Sequence, residues 1–306
     1  MNDNQKGQNR VLPFQIDRLD VRGRIVRLGS VVDTILSRHD YPDVVSQHLA
    51  ELILVATLLG NSVKFDGTFT VQTKGDGPVS MMVSDFATPG ALRGFAQVDR
   101  AALAALGPDR RGVRDVLGKG YLALTIDQGP DTDRYQGIVA LEGDSLAECA
   151  EAYFRDSEQI PTLVRLAAKR AWPGGPWLAG GLMIQHLPHG ETGPRADRAG
   201  HLPDAVAEDR WTTAKAKAST VTVDELVGPD LRAEEVAWRL FHEDGVRVYP
   251  TLALAVGCRC NRERIATVLA QFPAQDRADM AVDGRIVVTC EFCNAGFAFD
   301  PDTVAV

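Results

Sequence analysis

Several features are scarce in this sequence of 306 residues, and each scarcity excludes a class of protein. Basic residues are outnumbered: 33 Lys and Arg stand against 41 Asp and Glu, which leaves a formal net charge of -8. Binding to nucleic acid or to an anionic membrane requires a basic face, so neither partner is expected. The longest apolar run, residues 52–59, is far too short to span a bilayer. The N-terminal sequence MNDNQKGQNRVLPFQI lacks the charged-then-apolar order of a secretory signal, which predicts a cytoplasmic protein.

Cysteine is also scarce, and its placement is uneven. Four of the five cysteines, Cys258, Cys260, Cys290 and Cys293, fall in the last 49 residues. The fifth, Cys149, lies far upstream and has no partner nearby in sequence, so we predict a buried helix cysteine there. Cysteines that merely fill a core would not cluster in this way, so the C-terminal group indicates a site.

The clustered cysteines form two short-spaced pairs, Cys-x-Cys and Cys-x-x-Cys, separated by 29 residues. Structural zinc sites take four thiolates in a tetrahedron, with Zn–S bonds of ~2.3 Å. A module of this size has a marginal core, whereas zinc contributes ~10–16 kcal/mol of apparent binding free energy. The pattern therefore predicts one Zn²⁺ ion held by all four cysteines. The alternative is a pair of structural disulfides, which a reducing cytoplasm disfavours.

The same thiolates can be oxidised, and the geometry makes oxidation consequential. Sulfurs in a tetrahedral zinc shell lie roughly 3.8 Å apart, as follows from the ~2.3 Å bond, whereas a disulfide requires about 2.05 Å. Bonded sulfurs are neutral and lose the charge that holds the cation. The Cys-x-Cys pair also needs a tight bend to close. Oxidation is therefore expected to unfold the module, so the site could act as a switch.

The chain is predicted to be an α+β protein in three parts. Residues 1–188 form a mixed α/β domain, residues 189–250 a linker region with helices, and residues 251–306 a small zinc-binding module. The predicted elements of the first part are strands at 21–28, 63–73, 79–86, 92–98, 120–127, 135–141 and 181–187, and helices at 42–59 and 145–157.

The predicted linker has two sections. Residues 189–220 are rich in Gly, Pro, Ala and charge and have little apolar periodicity, which favours a linker without regular structure. From Val223 onward the chain is predicted to be helical, with Asp230 as the cap of a helix. That helix is marginal alone and must bury its apolar stripe, most simply against the N-terminal domain. The stripe consists of Ala233, Val236, Ala237, Leu240 and Phe241.

Two other functions remain possible from the residues alone. A zinc module that binds nucleic acid is one, but acidic residues around Cys258 and Cys293 offset the basic ones. A thiol–disulfide oxidoreductase is the other, but the Cys-x-x-Cys pair lacks a surrounding thioredoxin-like βαβ unit. A catalytic zinc would keep an open coordination position, and four thiolates leave none, so we do not expect an enzyme.

The cysteine motifs and their flanks, CRCNRERI and VTCEFCNAGFAFD, occur with a series of further motifs along nearly the whole chain. These are RGRIVRL, LLGNSVKFDGTFTVQTKGDGPV, LGKGYLALTID, YQGIVALEGDSLAECAEAYFRDSEQIPT, AGGLMIQHLP and EEVAWRLFHED. In this order they resemble the redox-regulated 33-kDa heat-shock chaperones of bacteria, the 33-kDa chaperonins.

This resemblance implies an ATP-independent holdase that is largely inactive when reduced and zinc-bound. It further implies that oxidation pairs Cys258 with Cys260 and Cys290 with Cys293 and releases zinc. The C-terminal module and the linker would then lose structure, and the freed apolar surface would capture unfolding client proteins, usually as a homodimer.

Overall fold

The structure is a computed structural model that describes residues 8–107, 109–129, 132, 134–187 and 204–302. The chain divides into two compact units, Met1–Val256 and Gly257–Val306. The predicted boundary at residue 250 differs from this division because three short strands between residues 246 and 256 pair with the sheets of the larger unit.

The larger unit is built on two sheets. Its strands are β1 (Arg10–Ile16), β2 (Val21–Leu28), β3 (Thr68–Gly75), β4 (Val79–Ala87), β5 (Ala91–Val98), β6 (Gly120–Asp127), β7 (Tyr135–Ala140), β8 (Thr162–Arg170), β9 (Trp177–His186), β10 (Val246–Val248), β11 (Leu252–Ala253) and β12 (Ala255–Val256). The first sheet has the order β10-β1-β2-β9-β8, with β11 also on β1, and the second has the order β12-β5-β4-β3-β6-β7. All neighbouring strands are antiparallel except β12 and β5.

Helices in this unit accompany sheets of antiparallel strands and do not alternate with parallel ones, and the predicted α+β fold class is confirmed. They are α1 (Ser30–Ser37), α2 (Asp43–Gly60), α3 (Arg100–Ala105), α4 (Val113–Leu117), α5 (Leu146–Tyr153), α6 (Asp204–Ala218), α7 (Val223–Val227) and α8 (Ala233–Phe241).

Helix α2 lies between the two sheets, in contact with β2, β8 and β9 of the first and β3, β4 and β5 of the second. It is apolar on nearly all sides, which is typical of a helix buried all round. Among the described residues it is also the one helix whose length and composition would allow it to cross a membrane, yet 78% of that window is buried in the protein. The apolar composition of α2 is therefore explained by its burial in the central core of the larger unit.

The other face of the first sheet, which we call the outer face, is covered by α6, α7 and α8. We call residues 204–241 the covering segment. Buried side chains of the outer face and of the covering segment form one apolar cluster, separate from the core around α2. Its outer-face members are Leu12, Phe14, Ile16, Val21, Ile25, Leu163, Ala167, Leu182 and Ile184, and its covering-segment members are Trp211, Ala214, Ala218, Leu226, Val227, Ala233, Val236, Ala237, Leu240 and Phe241.

Several predicted elements are confirmed, notably β2, α2 and the β3–β4 hairpin that turns at Gly75–Pro78. Ser145 caps α5 by accepting a hydrogen bond from the backbone N–H of Glu148. The predicted cap at Asp230 is wrong: Arg232 is the N-cap of α8, and its backbone N–H donates to the Glu235 carboxylate.

The prediction of an unstructured linker at 189–220 is wrong for its second half, where α6 forms. Its buried stripe is Trp211, Ala214 and Ala218, which pack on the outer face. Residues 189–203 lie outside the described residues.

The smaller unit contains α9 (Arg262–Leu269), α10 (Ala274–Asp279), β13 (Ile286–Thr289) and β14 (Gly296–Phe299). The two strands form an antiparallel hairpin. Its buried apolar side chains are Leu269, Ile286 and Phe299, and Arg262 lies 4.5 Å above the Phe299 ring. This core is small for a unit of about 50 residues, a size at which additional support is normally needed.

Candidate metal centre

The four clustered cysteines come from two loops of the smaller unit. Cys258 and Cys260 lie in the irregular segment that leads into α9. Cys290 directly follows β13, and Cys293 lies in the turn that leads to β14. Each pair is thus held at the end of a regular element, and the fold brings together two pairs that the sequence separates by 29 residues.

The hairpin between β13 and β14 fixes the second pair. The backbone N–H of Cys290 donates to the carbonyl of Ala295 at 2.9 Å, and the N–H of Asn294 donates to the carbonyl of Cys290 at 2.8 Å. Asn294 has φ 57°, in the left-handed region that asparagine tolerates better than most residues. This tight return of the chain brings the Cys290 and Cys293 sulfurs to the same side.

The first pair is fixed by the start of α9. Asn261 is the N-cap, and its side-chain oxygen accepts a hydrogen bond from the backbone N–H of Arg264 at 2.7 Å. Cys260 immediately precedes this cap, so the start of α9 fixes the position of its backbone. Asn261 and Asn294 support the site without being ligands, and sequence reasoning assigned neither a role. The sequence feature that could have revealed these roles is the asparagine that directly follows each cysteine pair.

The sulfur–sulfur distances match a tetrahedral metal shell. Cys258 Sγ lies 3.3 Å from Cys260 Sγ and 3.7 Å from Cys290 Sγ, and Cys260 Sγ lies 3.3 Å from Cys293 Sγ. All four sulfurs lie within 4.8 Å of one another. A tetrahedron with Zn–S bonds of ~2.3 Å has edges of roughly 3.8 Å, so the four thiols could hold a metal ion at their centre.

The pKa values of three of these thiols are shifted, and not all in the same direction. Burial alone would raise the pKa of Cys258, but hydrogen bonds from the Cys260 backbone N–H and from the other three thiols outweigh it and lower the pKa to about 7. Burial, reinforced by hydrogen bonding with its neighbours, raises the pKa of Cys260. Burial also raises the pKa of Cys293. Of these three thiols, Cys258 has the lowest pKa, and a dication at the centre would favour loss of the remaining protons.

Cys149 lies apart from this cluster, in α5 of the larger unit, and is 1% exposed. Burial raises its thiol pKa, which makes it a poor nucleophile at neutral pH. The structure thus places Cys149 in a buried helix, as predicted.

The chain matches known proteins over nearly its full length. The family model described as Hsp33 protein matches residues 9–300. The chain is 44% identical over 296 residues to the 33 kDa chaperonin of Caulobacter vibrioides, covering 95% of this chain and 94% of the relative. It is 36% identical over 299 residues to the 33 kDa chaperonin of Photorhabdus laumondii, covering 97% and 95%.

The fold has a counterpart among solved structures. The crystal structure of the 33 kDa chaperonin (heat shock protein 33 homolog) of Thermotoga maritima aligns with a TM-score of 0.78 over 97% of both chains, at 22% sequence identity. Similarity at this level of identity supports the fold, and the closer relatives support the family. The protein therefore belongs to the Hsp33 family of chaperones.

Proposed function

We propose that this chaperone is an ATP-independent holdase of the cytoplasm that oxidation of its four-cysteine centre switches on. The observation that carries the proposal is the convergence of four thiols in a unit whose buried apolar core is Leu269, Ile286 and Phe299. Such a unit depends on its metal, because zinc binding contributes ~10–16 kcal/mol and a core of this size far less.

Zinc is the metal that this donor set favours. Four thiolates in a tetrahedral arrangement are typical of structural zinc, and four protein ligands leave no open position for a substrate. In the reduced protein, Cys258, Cys260, Cys290 and Cys293 would hold one Zn²⁺ ion per chain.

Oxidation converts these ligands into disulfides. For each disulfide, two thiolates lose one electron each to form an S–S bond, while one hydrogen peroxide molecule accepts the two electrons and two protons and becomes two water molecules. Two peroxide molecules therefore oxidise all four cysteines. The resulting neutral sulfurs no longer hold the cation.

The disulfide pairing is carried over from the family resemblance, which implies Cys258–Cys260 and Cys290–Cys293. The Cys260 and Cys293 sulfurs are as close as those of Cys258 and Cys260, at 3.3 Å. Peptide mapping of the oxidised protein distinguishes the two pairings: a Cys260–Cys293 peptide would contradict the proposed one.

The client surface is proposed to come from the larger unit. The chain runs from α8 through β10, β11 and β12 into the smaller unit, and these strands are only two or three residues long. Short strands are held by few hydrogen bonds, so loss of structure in the smaller unit would extend readily into the covering segment. Release of that segment would expose the outer face, whose apolar side chains suit unfolding proteins, and would allow a homodimer to form.

The test combines metal, thiol and activity measurements on one preparation. Reduced protein should carry one zinc ion per chain and four reactive thiols after zinc removal, and it should suppress client aggregation weakly. Peroxide with mild heat should release zinc, consume four thiols, speed proteolysis at residues 204–302 and produce aggregation suppression without ATP. Aggregation suppression by oxidised protein whose residues 204–302 stay protease-resistant would contradict the mechanism.

The two alternative functions have their own readouts. Retention of the reduced protein on immobilised nucleic acid at physiological salt would favour a nucleic-acid-binding module. Catalytic turnover of a small disulfide substrate would favour an oxidoreductase.

A further inference from the structure

A buried arginine reaches from the first sheet into the covering segment. Arg27 lies on β2, is 5% exposed and sits on the outer face together with Ile25. Its guanidinium donates hydrogen bonds to the carbonyl oxygens of Gly228 and Leu231. Both acceptors belong to the loop between α7 and α8, so one side chain of the sheet holds this loop at two points.

A glycine lies directly beside this arginine. Gly180 on β9 is the cross-strand partner of Arg27. A Cβ atom at Gly180 would lie 2.3 Å from the carbonyl oxygen of Leu226, far inside van der Waals contact. The last turn of α7 therefore rests on bare backbone, and only glycine leaves room for it. Arg27 and Gly180 together form a seat into which the α7–α8 loop fits.

Burial disfavours the charge of Arg27, and two carboxylates offset part of that effect. Burial lowers the pKa of Arg27, while the nearby carboxylates of Glu234 and Glu235 act to raise it. Arginine stays protonated under these conditions. The Gly228 carbonyl group lies at the C-cap of α7, where carbonyl groups carry partial negative charge, and Arg27 supplies the donor that it lacks.

Two ion pairs that also tie the covering segment to the rest of the unit, Arg210–Asp20 and Lys169–Asp224, are more exposed than Arg27. The Lys169–Asp224 ion pair has side chains that are 41% and 83% exposed, and water competes for both partners. Removing Arg27, in contrast, would leave the Gly228 carbonyl oxygen buried without its donor, which costs more than losing a solvated pair.

We propose that Arg27, seated beside Gly180, is the latch that holds the covering segment on the first sheet and sets how readily the chaperone opens. It is a positioning residue, acting through the α7–α8 loop rather than on a client. The inference rests on the proposed function, in which release of the covering segment exposes the client surface.

The test uses reduced, zinc-loaded protein and two matched variants. Arg27→Met removes the latch. Arg24→Met is the control, because Arg24 lies on the same strand, burial lowers its pKa to about 10, and its guanidinium Nε bonds Asn61 at the end of α2 instead. Amide hydrogen exchange of residues 223–241 should become on the order of 10- to 100-fold faster in Arg27→Met, the effect of losing one or two charge-assisted hydrogen bonds. Arg24→Met should leave this segment unchanged.

Two further variants distinguish loss of the Arg27 hydrogen bonds from general misfolding. Gly180→Ala should loosen the same residues by pressing on Leu226, and Arg27→Lys should restore part of the protection because an ammonium group can still donate to a carbonyl. Zinc content should stay at one ion per chain in all variants. Unchanged exchange in both Arg27→Met and Gly180→Ala, or equal acceleration in Arg24→Met, would overturn the latch.

Aggregation suppression by the variants tests the proposed client surface separately from the role of Arg27. Arg27→Met should suppress client aggregation while still reduced and zinc-loaded. Faster exchange without aggregation suppression would support the latch and contradict the outer face as the client surface.

Discussion

The buried side chain of Phe241 on α8 can be replaced to test how the covering segment is held on the first sheet. Phe241 is 0% exposed, and its ring stacks on that of Phe14 on β1, with the centroids 5.9 Å apart. Gly23, the cross-strand partner of Phe14, leaves room for the Phe14 ring, since a Cβ there would lie 2.2 Å from it. Phe241→Ala should therefore remove a well-packed anchor of α8.

The magnitude follows from burial. Replacing a fully buried phenylalanine by alanine costs about 3–5 kcal/mol, so local opening of α8 should become on the order of 100- to 5,000-fold more frequent. Trp238 on the same helix is the matched control, because it is 60% exposed and stacks on His242 within its own helix end. Trp238→Ala should cost less than about 1 kcal/mol.

Hydrogen exchange of the reduced, zinc-loaded variants measures both effects, with α2 as the internal reference. Exchange should accelerate in residues 204–241 of Phe241→Ala and hardly at all in Trp238→Ala. Equal acceleration in the two variants, or acceleration of α2 to the same extent, would refute the view that this buried ring anchors the covering segment.

Three further predictions concern single residues. Cys290→Ser should weaken zinc affinity more than about 100-fold, because losing a ligand costs more than losing a group that only hydrogen-bonds a ligand. Competition with a chromophoric chelator measures the affinity, and unchanged affinity would refute the ligand set. Cys149→Ser should keep oxidant-triggered activity with a stability loss of about 1 kcal/mol, and loss of activation despite zinc release would contradict this. Burial would lower the pKa of His48, but its ion pair with Glu51 and its bond to the Arg111 carbonyl raise the pKa above the ordinary 6.5. The resulting stabilisation is complete below pH 6.5 and is lost as the pH rises through the raised value, so His48→Gln should flatten the pH dependence of urea unfolding in that window.

The candidate site could be predicted because residue type alone encodes its chemistry. Thiols in two short pairs indicate a metal centre whatever fold surrounds them. The sequence could not show how the pairs meet, because that depends on the β13–β14 return and on the start of α9. Asn261 and Asn294 act through a cap and a left-handed turn, and these roles emerge only once the backbone is known.

The fold was predictable where periodicity is strong, as in α2 and the β3–β4 hairpin. Helix α6 was missed because two of its three buried contacts are alanines, Ala214 and Ala218, which contribute little to an apolar pattern. Strand β1 was missed because Pro13 interrupts it, although in the sheet the Pro13 carbonyl accepts a hydrogen bond from Tyr249. The strands β10, β11 and β12 are too short to carry any period.

The alternation of side chains along β2 explains how the protein could open without losing its core. Val26 and Leu28 belong to the cluster around α2, whereas Val21 and Ile25 belong to the cluster under the covering segment. The two clusters lie on opposite faces of the first sheet, so release of the covering segment removes one layer and leaves the packing of α2 between the sheets intact. In the oxidised, active protein we therefore expect rapid amide exchange at residues 204–241 and slow exchange at Asp43–Gly60. Comparable exchange in both would mean that activation unfolds the whole larger unit, and a holdase built on a preserved sheet would be excluded.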